Sequence, residues 1–175
     1  LPILHRLMAD PKPAPRKGCR ALILSPTREL ATQIADSFKA YGRHLKVTTA
    51  VVFGGVSSHA QVQTMSRGVD VLVATPGRLL DHISTRAIQL DQVEIFVLDE
   101  ADQMLDLGFI VPIRKLVRTL PAKRQNLFFS ATMSGEIGKL AGELLHDPVK
   151  VAVTPVATTV DKVDQKVLFV DTPHK

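Results

Sequence analysis

One stretch, Val93-Glu94-Ile95-Phe96-Val97-Leu98-Asp99-Glu100-Ala101-Asp102, restricts this chain more than any other. Apolar, β-branched and aromatic residues fill it with almost no alternation and then give way to acids. A strand with one solvated face alternates, so a continuous apolar run marks a strand buried on both faces of a parallel sheet. The acids then stand at its carboxyl end, where open α/β sheets bind their ligands. Two neighbouring carboxylates there suit a hydrated Mg²⁺ and an attacking water: Asp99 is the metal candidate, acting through water, and Glu100 the candidate base. An acidic strand end leading into a helix, favoured by the helix dipole, would have the same composition. The remaining motifs have to discriminate between the two.

The chain's 175 residues suffice for one domain with a large core. Its 45% hydrophobic and 22% charged residues are ordinary globular values and set disorder aside. A net charge of +5 and a pI near 9.6 favour a polyanionic partner through counterion release. Arg114, Lys115 and Arg118, however, equally suit a solvated helix face. With no Trp and few Phe or Tyr, an aromatic platform for stacking bases is not expected. Cys19 is the only cysteine, which excludes an internal disulfide and a Cys-based zinc site and fits a reducing, cytoplasmic compartment. No run approaches the roughly eighteen apolar residues of a membrane span, and Leu1 to Met8 lacks the lead and cleavage site of a secretory signal. Leu1 in place of an initiating Met leads to the expectation of a fragment.

Along the chain, Ile3, Leu4, Leu7 and Met8 have helical spacing, and Asp10 to Gly18, with three prolines, reads as a loop. Arg20 to Ser25 is a short buried strand. Ser25-Pro26-Thr27-Arg28-Glu29-Leu30 follows, then Ile34, Phe38 and Tyr41, an amphipathic helix with Ser25 expected at the N-cap and Pro26 at the first helical position. Its free amides would face the carboxyl edge of the sheet and accept phosphate, with Arg28 adding charge. Val47 to Phe53 is a strand ending at Gly54-Gly55, a pair that permits close backbone approach or simply a turn. Ala60 to Arg67 reads as a short helix and Asp70 to Ala74 as a strand. Thr75-Pro76-Gly77-Arg78 repeats the design of the Ser25 segment: hydroxyl cap, proline, arginine in the opening turn. Two such helix starts on one edge would form a track for a sugar-phosphate backbone.

Met104, Leu105 and Leu107 predict a brief helix ended by Gly108, and Pro112 could open another that buries Ile113, Leu116, Val117 and Leu120. The strand Asn126 to Phe129 runs into Ser130-Ala131-Thr132. Ser134 caps a helix through Ile137, Leu140, Leu144 and Leu145, whose Gly135, Gly138 and Gly142 suggest close helix packing. Val149 to Val153 reads as a strand, 154–164 as a linker, and Lys166 to Val170 as the opening strand of a second domain over 165–175.

Several chemistries drop out. The six histidines include no HExxH pair and no spacing that completes a metal site. Neither GxSxG nor GxGxxG occurs, and Gly135-Glu136-Ile137-Gly138-Lys139-Leu140 fails as a phosphate loop on spacing and on the missing hydroxyl after Lys139.

Taken together, Pro26-Thr27-Arg28-Glu29-Leu30, Gly54-Gly55, Thr75-Pro76-Gly77-Arg78, Asp99-Glu100-Ala101-Asp102 and Ser130-Ala131-Thr132 have the order and approximate spacing of the DEAD-box RNA helicases. The chain resembles that family's amino-terminal RecA-like domain over residues 1–153. The resemblance implies an α/β fold: a mostly parallel sheet with helices on both faces, lacking its first, phosphate-loop strand, so that the strand ending at Ser130 has an open edge. It further implies an ATP- and Mg²⁺-dependent enzyme that unwinds local RNA duplexes or remodels RNA–protein particles. Asp99 and Glu100 would serve metal and water, and Asp102 would link to Ser130 and Thr132. Pro26, Thr27, Arg28, Gly54, Gly55, Thr75, Pro76, Gly77 and Arg78 would lie along the RNA backbone and contact it without reading base sequence. A second RecA-like domain and protein cofactors are the implied partners. The family's phosphate-binding loop with its lysine is missing, so the chain alone is expected not to bind or hydrolyse ATP. The alternative is a non-catalytic RNA- or protein-binding module.

Overall fold

The longest apolar runs become the strands of a single sheet. The structure is a computed structural model that describes residues 1–153; the linker at 154–164 and the second-domain strand lie outside the described residues. In chain order the elements are α1 (Pro2–Ala9), β1 (Cys19–Leu24), α2 (Arg28–Tyr41), β2 (Thr49–Val52), α3 (Ser58–Met65), β3 (Val69–Ala74), α4 (Pro76–Ser84), β4 (Ile95–Leu98), α5 (Ala101–Asp106), α6 (Ile110–Val117), β5 (Gln125–Phe128) and α7 (Gly135–Leu144). The strands lie in the order β2-β3-β1-β4-β5, every pairing parallel.

The three central strands are buried at every position, as their lack of alternation requires. Their side chains divide by parity between two cores. Leu22, Leu24, Leu72, Phe96 and Leu98 enter the larger one, with Met65, Leu79, Met104, Ile113, Leu116 and Leu140 from α3 to α7. Ala21, Ile23, Val71, Val73, Ile95 and Val97 enter the smaller, under Leu7 of α1 and Ala31 and Ala35 of α2. Each fully buried aliphatic side chain contributes about 1.5–3 kcal/mol relative to exposure. Helices thus cover both faces, for a topological reason. The β1–α2–β2 connection runs toward one edge of the sheet, whereas the later connections step toward the other. Right-handed crossovers in opposite directions put their helices on opposite faces.

Away from the carboxyl edge, Arg20 of β1 is buried and bound to Glu94 at 3.0 and 3.3 Å and to the Asp10 carbonyl at 2.8 Å, tying α1 and β4 to the amino end of the sheet. β5 is the least buried strand and forms one edge of the sheet in the described residues, as expected for the strand before Ser130.

The structure corrects several expectations. Val149 to Val153 does not form a strand; Val149, Val151 and Val153 are exposed. Alternating apolar residues make a strand only where a neighbour supplies a ladder, and none among the described residues does. The N-cap of α2 is Thr27 rather than Ser25, so Pro26 precedes the helix instead of opening it. Pro112 is the third residue of α6, not its first. Nothing approaches within 4 Å of where a Cβ would stand at Gly135, Gly138 or Gly142, so these glycines do not serve close packing.

Candidate functional site at the carboxyl rim

Because all five strands are parallel, their carboxyl ends share one rim, and the register aligns them: Val52 pairs with Ala74, Ala74 with Leu24, Leu24 with Leu98, and Leu98 with Phe128. The ladder continues one residue further. Amides of Thr75, Ser25, Asp99 and Phe129 donate to the carbonyls of Val52, Ala74, Leu24 and Leu98 at 2.9–3.0 Å. Every motif singled out in the sequence therefore leaves the sheet from this one row. Gly54-Gly55, Thr75 to Arg78 and Pro26 to Arg28 follow the neighbouring strands β2, β3 and β1. The acids and Ser130 to Thr132 follow β4 and β5. Adjacent tips are about 4.8 Å apart, so the first group spans about 10 Å.

In the first group, the Thr27 hydroxyl accepts from the Leu30 amide at 3.2 Å, a side-chain cap that presents Arg28 exposed in the opening turn. The Arg28 guanidinium lies 5.0 Å from the centroid of the Phe53 ring, a cation–π distance. Gly55 has φ +77°, where a side chain is disfavoured, and a Cβ there would stand 2.7 Å from Arg28 Nη1. Gly54 has open space around it. α4 starts as the sequence indicates, Thr75 at the N-cap and Pro76 at the first position, but the Thr75 hydroxyl makes no cap bond and the residue is buried. Arg78 Nη1 donates to the Val56 carbonyl at 3.0 Å. Both arginines thus hold the glycine loop that follows β2. Pro26 and Pro76 are buried, which limits them to directing the backbone. Gly77 has open space where a Cβ would stand.

In the second group, Asp99 is partly buried, and burial raises its carboxyl above the ordinary value, opposed only by the Glu100 amide donating to Oδ1 at 3.1 Å. Glu100 is exposed and adopts φ 50°, ψ 53°. That left-handed conformation costs a non-glycine residue about 1–2 kcal/mol, and it turns the chain abruptly from β4 into α5. Burial raises the Asp102 carboxyl, but hydrogen bonds led by the Thr132 hydroxyl outweigh it and hold the group below its usual value. Asp102 Oδ2 accepts from the Thr132 amide at 2.9 Å and hydroxyl at 3.1 Å, while the Asp102 amide donates to Ser130 Oγ at 3.3 Å. Asp102, Ser130 and Thr132 are thereby one cluster joining β4 to the segment after β5.

The donor set fits magnesium in a restricted sense. Mg²⁺ keeps several waters and takes one or two carboxylates; Asp99, half-desolvated with one amide partner, suits that role. Among the described residues no three His, Cys, Asp or Glu cluster as an all-protein metal cage. No GxxxxGK[ST] loop lies within the 175 residues to cradle a triphosphate. Buried Cys19 has its thiol pKa pushed far up by desolvation, and no helix among the described residues is long and apolar enough to cross a membrane. Gln61, His82 and Phe53, which also contact these segments, belong to no motif. The one signal for them was His82, three residues after Leu79 on the buried stripe of α4.

The DEAD/DEAH box helicase family model matches residues 1–140. The chain is 46% identical to DEAD-box ATP-dependent RNA helicase 40 of Oryza sativa subsp. japonica over 81% of the chain and 18% of that relative. It is 40% identical to the ATP-dependent rRNA helicase rrp3 of Schizosaccharomyces pombe over 100% of the chain and 37% of the relative. It is 44% identical to the ATP-dependent RNA helicase RhlB of Xanthomonas axonopodis pv. citri over 95% and 30%. The chain thus spans well under half the length of these curated relatives. With the family model covering four-fifths of the sequence and the family's motifs aligned on one rim, the chain belongs to the DEAD/DEAH box helicases.

Proposed function

We propose that this domain works in an RNA-stimulated ATPase that separates short RNA duplexes or remodels RNA–protein particles. The tips of β2, β3 and β1 would take the RNA backbone, and those of β4 and β5 the Mg-nucleotide. The observation that carries this reading is the single aligned row of strand ends, which groups arginines and open glycine backbone on one side and carboxylates on the other.

On the RNA side, Arg28 and Arg78 supply charge, the backbone around Gly54 and Gly77 is open to a phosphate, and Gly55 lies under the flexible end of Arg28. Thr27, Thr75, Pro26 and Pro76 set the angle at which the two helices leave the sheet. On the nucleotide side, Mg²⁺ when bound neutralises phosphate charge. Asp99 would hold that ion through water. Glu100, exposed beside it, orients and deprotonates the attacking water. Asp102 with Ser130 and Thr132 transmits the state of the β4 tip to the segment after β5. The complete enzyme also uses a second RecA-like domain and protein cofactors. For the 175-residue chain alone we propose RNA or protein binding with neither binding nor hydrolysis of ATP, because its sequence holds no lysine-bearing phosphate loop.

The test is RNA affinity of the full-length protein by fluorescence anisotropy. Arg28→Ala and Arg78→Ala each weaken binding to the same degree on unrelated RNA sequences and lower the salt dependence by about one phosphate contact. A loss confined to particular sequences would contradict backbone recognition.

A further inference from the structure

Beneath the glycine loop, two side chains outside every motif connect two of the rim's segments. Gln61 of α3 is 9% exposed and His82 of α4 is 4% exposed. Gln61 Nε2 donates to the carbonyl of Phe53, the residue before Gly54, at 2.9 Å. Gln61 Oε1 lies 3.2 Å from His82 Nε2. With the amide nitrogen committed to a carbonyl, Oε1 can only accept, which assigns the His82 proton to Nε2. The path is therefore directed: His82 Nε2–H to Gln61, then Gln61 Nε2–H to the backbone just ahead of the glycines.

This path is one of two grips by the same helix. Arg78, one turn before His82, holds the Val56 carbonyl from the exposed side at 3.0 Å. His82 reaches Phe53 through Gln61 from the buried side. The loop Phe53–Val56 is thus fixed at both ends to α4, while Arg28 of α2 covers the Phe53 ring. An apolar pair would fill the same buried volume without the desolvation that a buried amide and imidazole incur. What it would not do is specify where the Phe53 carbonyl sits.

We propose that Gln61 and His82 are positioning residues that hold the Gly54–Val56 loop in register with the start of α4, so that both segments meet one RNA strand at the same time. The proposal rests on the RNA-backbone reading of the rim. Neither residue touches RNA; they act through the loop.

The test uses the full-length protein, with RNA-stimulated ATP turnover measured against RNA concentration. Gln61→Met, which keeps volume and removes both hydrogen bonds, and His82→Leu each raise the half-saturating RNA concentration by roughly 3- to 10-fold, the effect of one or two hydrogen bonds. The rate at saturating RNA falls by less. His82→Gln retains a donor at similar reach and recovers most of the affinity, a rescue that simple core filling would not give. Unaltered RNA dependence in Gln61→Met and His82→Leu, alongside weakened binding in Arg78→Ala, overturns this inference alone. Unaltered RNA dependence in all three overturns the RNA reading as well. A loss shared equally by maximal rate and half-saturation, without rescue by His82→Gln, overturns it in favour of a purely structural pair.

Discussion

Gly54 and Gly55 are adjacent and chemically identical, yet the fold makes different demands on them. Gly55 sits at φ +77° beneath the Arg28 guanidinium, whereas Gly54 has no such constraint and open space about it. Gly55→Ala therefore destabilises the domain by about 1–2 kcal/mol, chiefly through backbone strain, because the flexible end of Arg28 can move aside. Gly54→Ala stays within about 0.5 kcal/mol. Urea denaturation of the two variants checks this, and equal effects would contradict it. The sequence shows a glycine pair after a strand but not which member bears the positive φ, since that depends on how α2 and α4 close over the loop. The acids behave similarly. Their position at a strand end is legible from the apolar run, but the left-handed Glu100 is not, because nothing local in the sequence favours it.

At the level of elements, the closure of the β4 tip onto the segment after β5 hangs on Asp102. Residues 130–132 lie in neither helix nor strand, and α5 reaches them through the two Thr132 bonds, the Ser130 contact and the Ala101 amide donating to the Phe129 carbonyl at 3.0 Å. Asp102→Ala removes the acceptor for Thr132, and that for the Gln103 amide at 3.1 Å, so the Thr132 amide exchanges several-fold faster at neutral pH while the Met104 amide, bonded to the Glu100 carbonyl, keeps its protection; unchanged Thr132 exchange would contradict the link. Since the Asp102 carboxyl is held below its usual value, the link is fully present above the ordinary Asp range near about pH 4 and is lost only as pH falls through the lowered value. Helix existence was readable from apolar spacing, but helix starts only in part: Thr75-Pro76 and Ser134 mark the starts of α4 and α7, whereas those of α2 and α6 lie elsewhere than the sequence indicates. α2 begins at Arg28 because the Thr27 hydroxyl takes the cap that Ser25-Pro26 suggested, and α6 begins two residues before Pro112. Val149 to Val153 shows the reverse: an acceptable strand pattern stays irregular where no ladder is offered.

For the molecule as a whole, what the chain lacks matters as much as what it carries. Calorimetric titration of the 175-residue chain with Mg-ATP should give no specific heat, because carboxylates without an amide cradle and lysine do not retain the β- and γ-phosphates. Micromolar binding would overturn that expectation. The open edge at β5 is a surface with unpaired backbone groups among the described residues, the kind that natural sheets cover or blunt. By itself the sequence determined which segments are buried strands and which residues stand at their ends, because burial on both faces and the residues that break strands leave local signatures. It also carried the motif set that marks the family. Only the tertiary structure decided the order β2-β3-β1-β4-β5, the alignment of the five tips, and the hidden path from His82 through Gln61 to the glycine loop. Those follow from crossover handedness and from contacts between residues distant in the chain, which no local periodicity encodes.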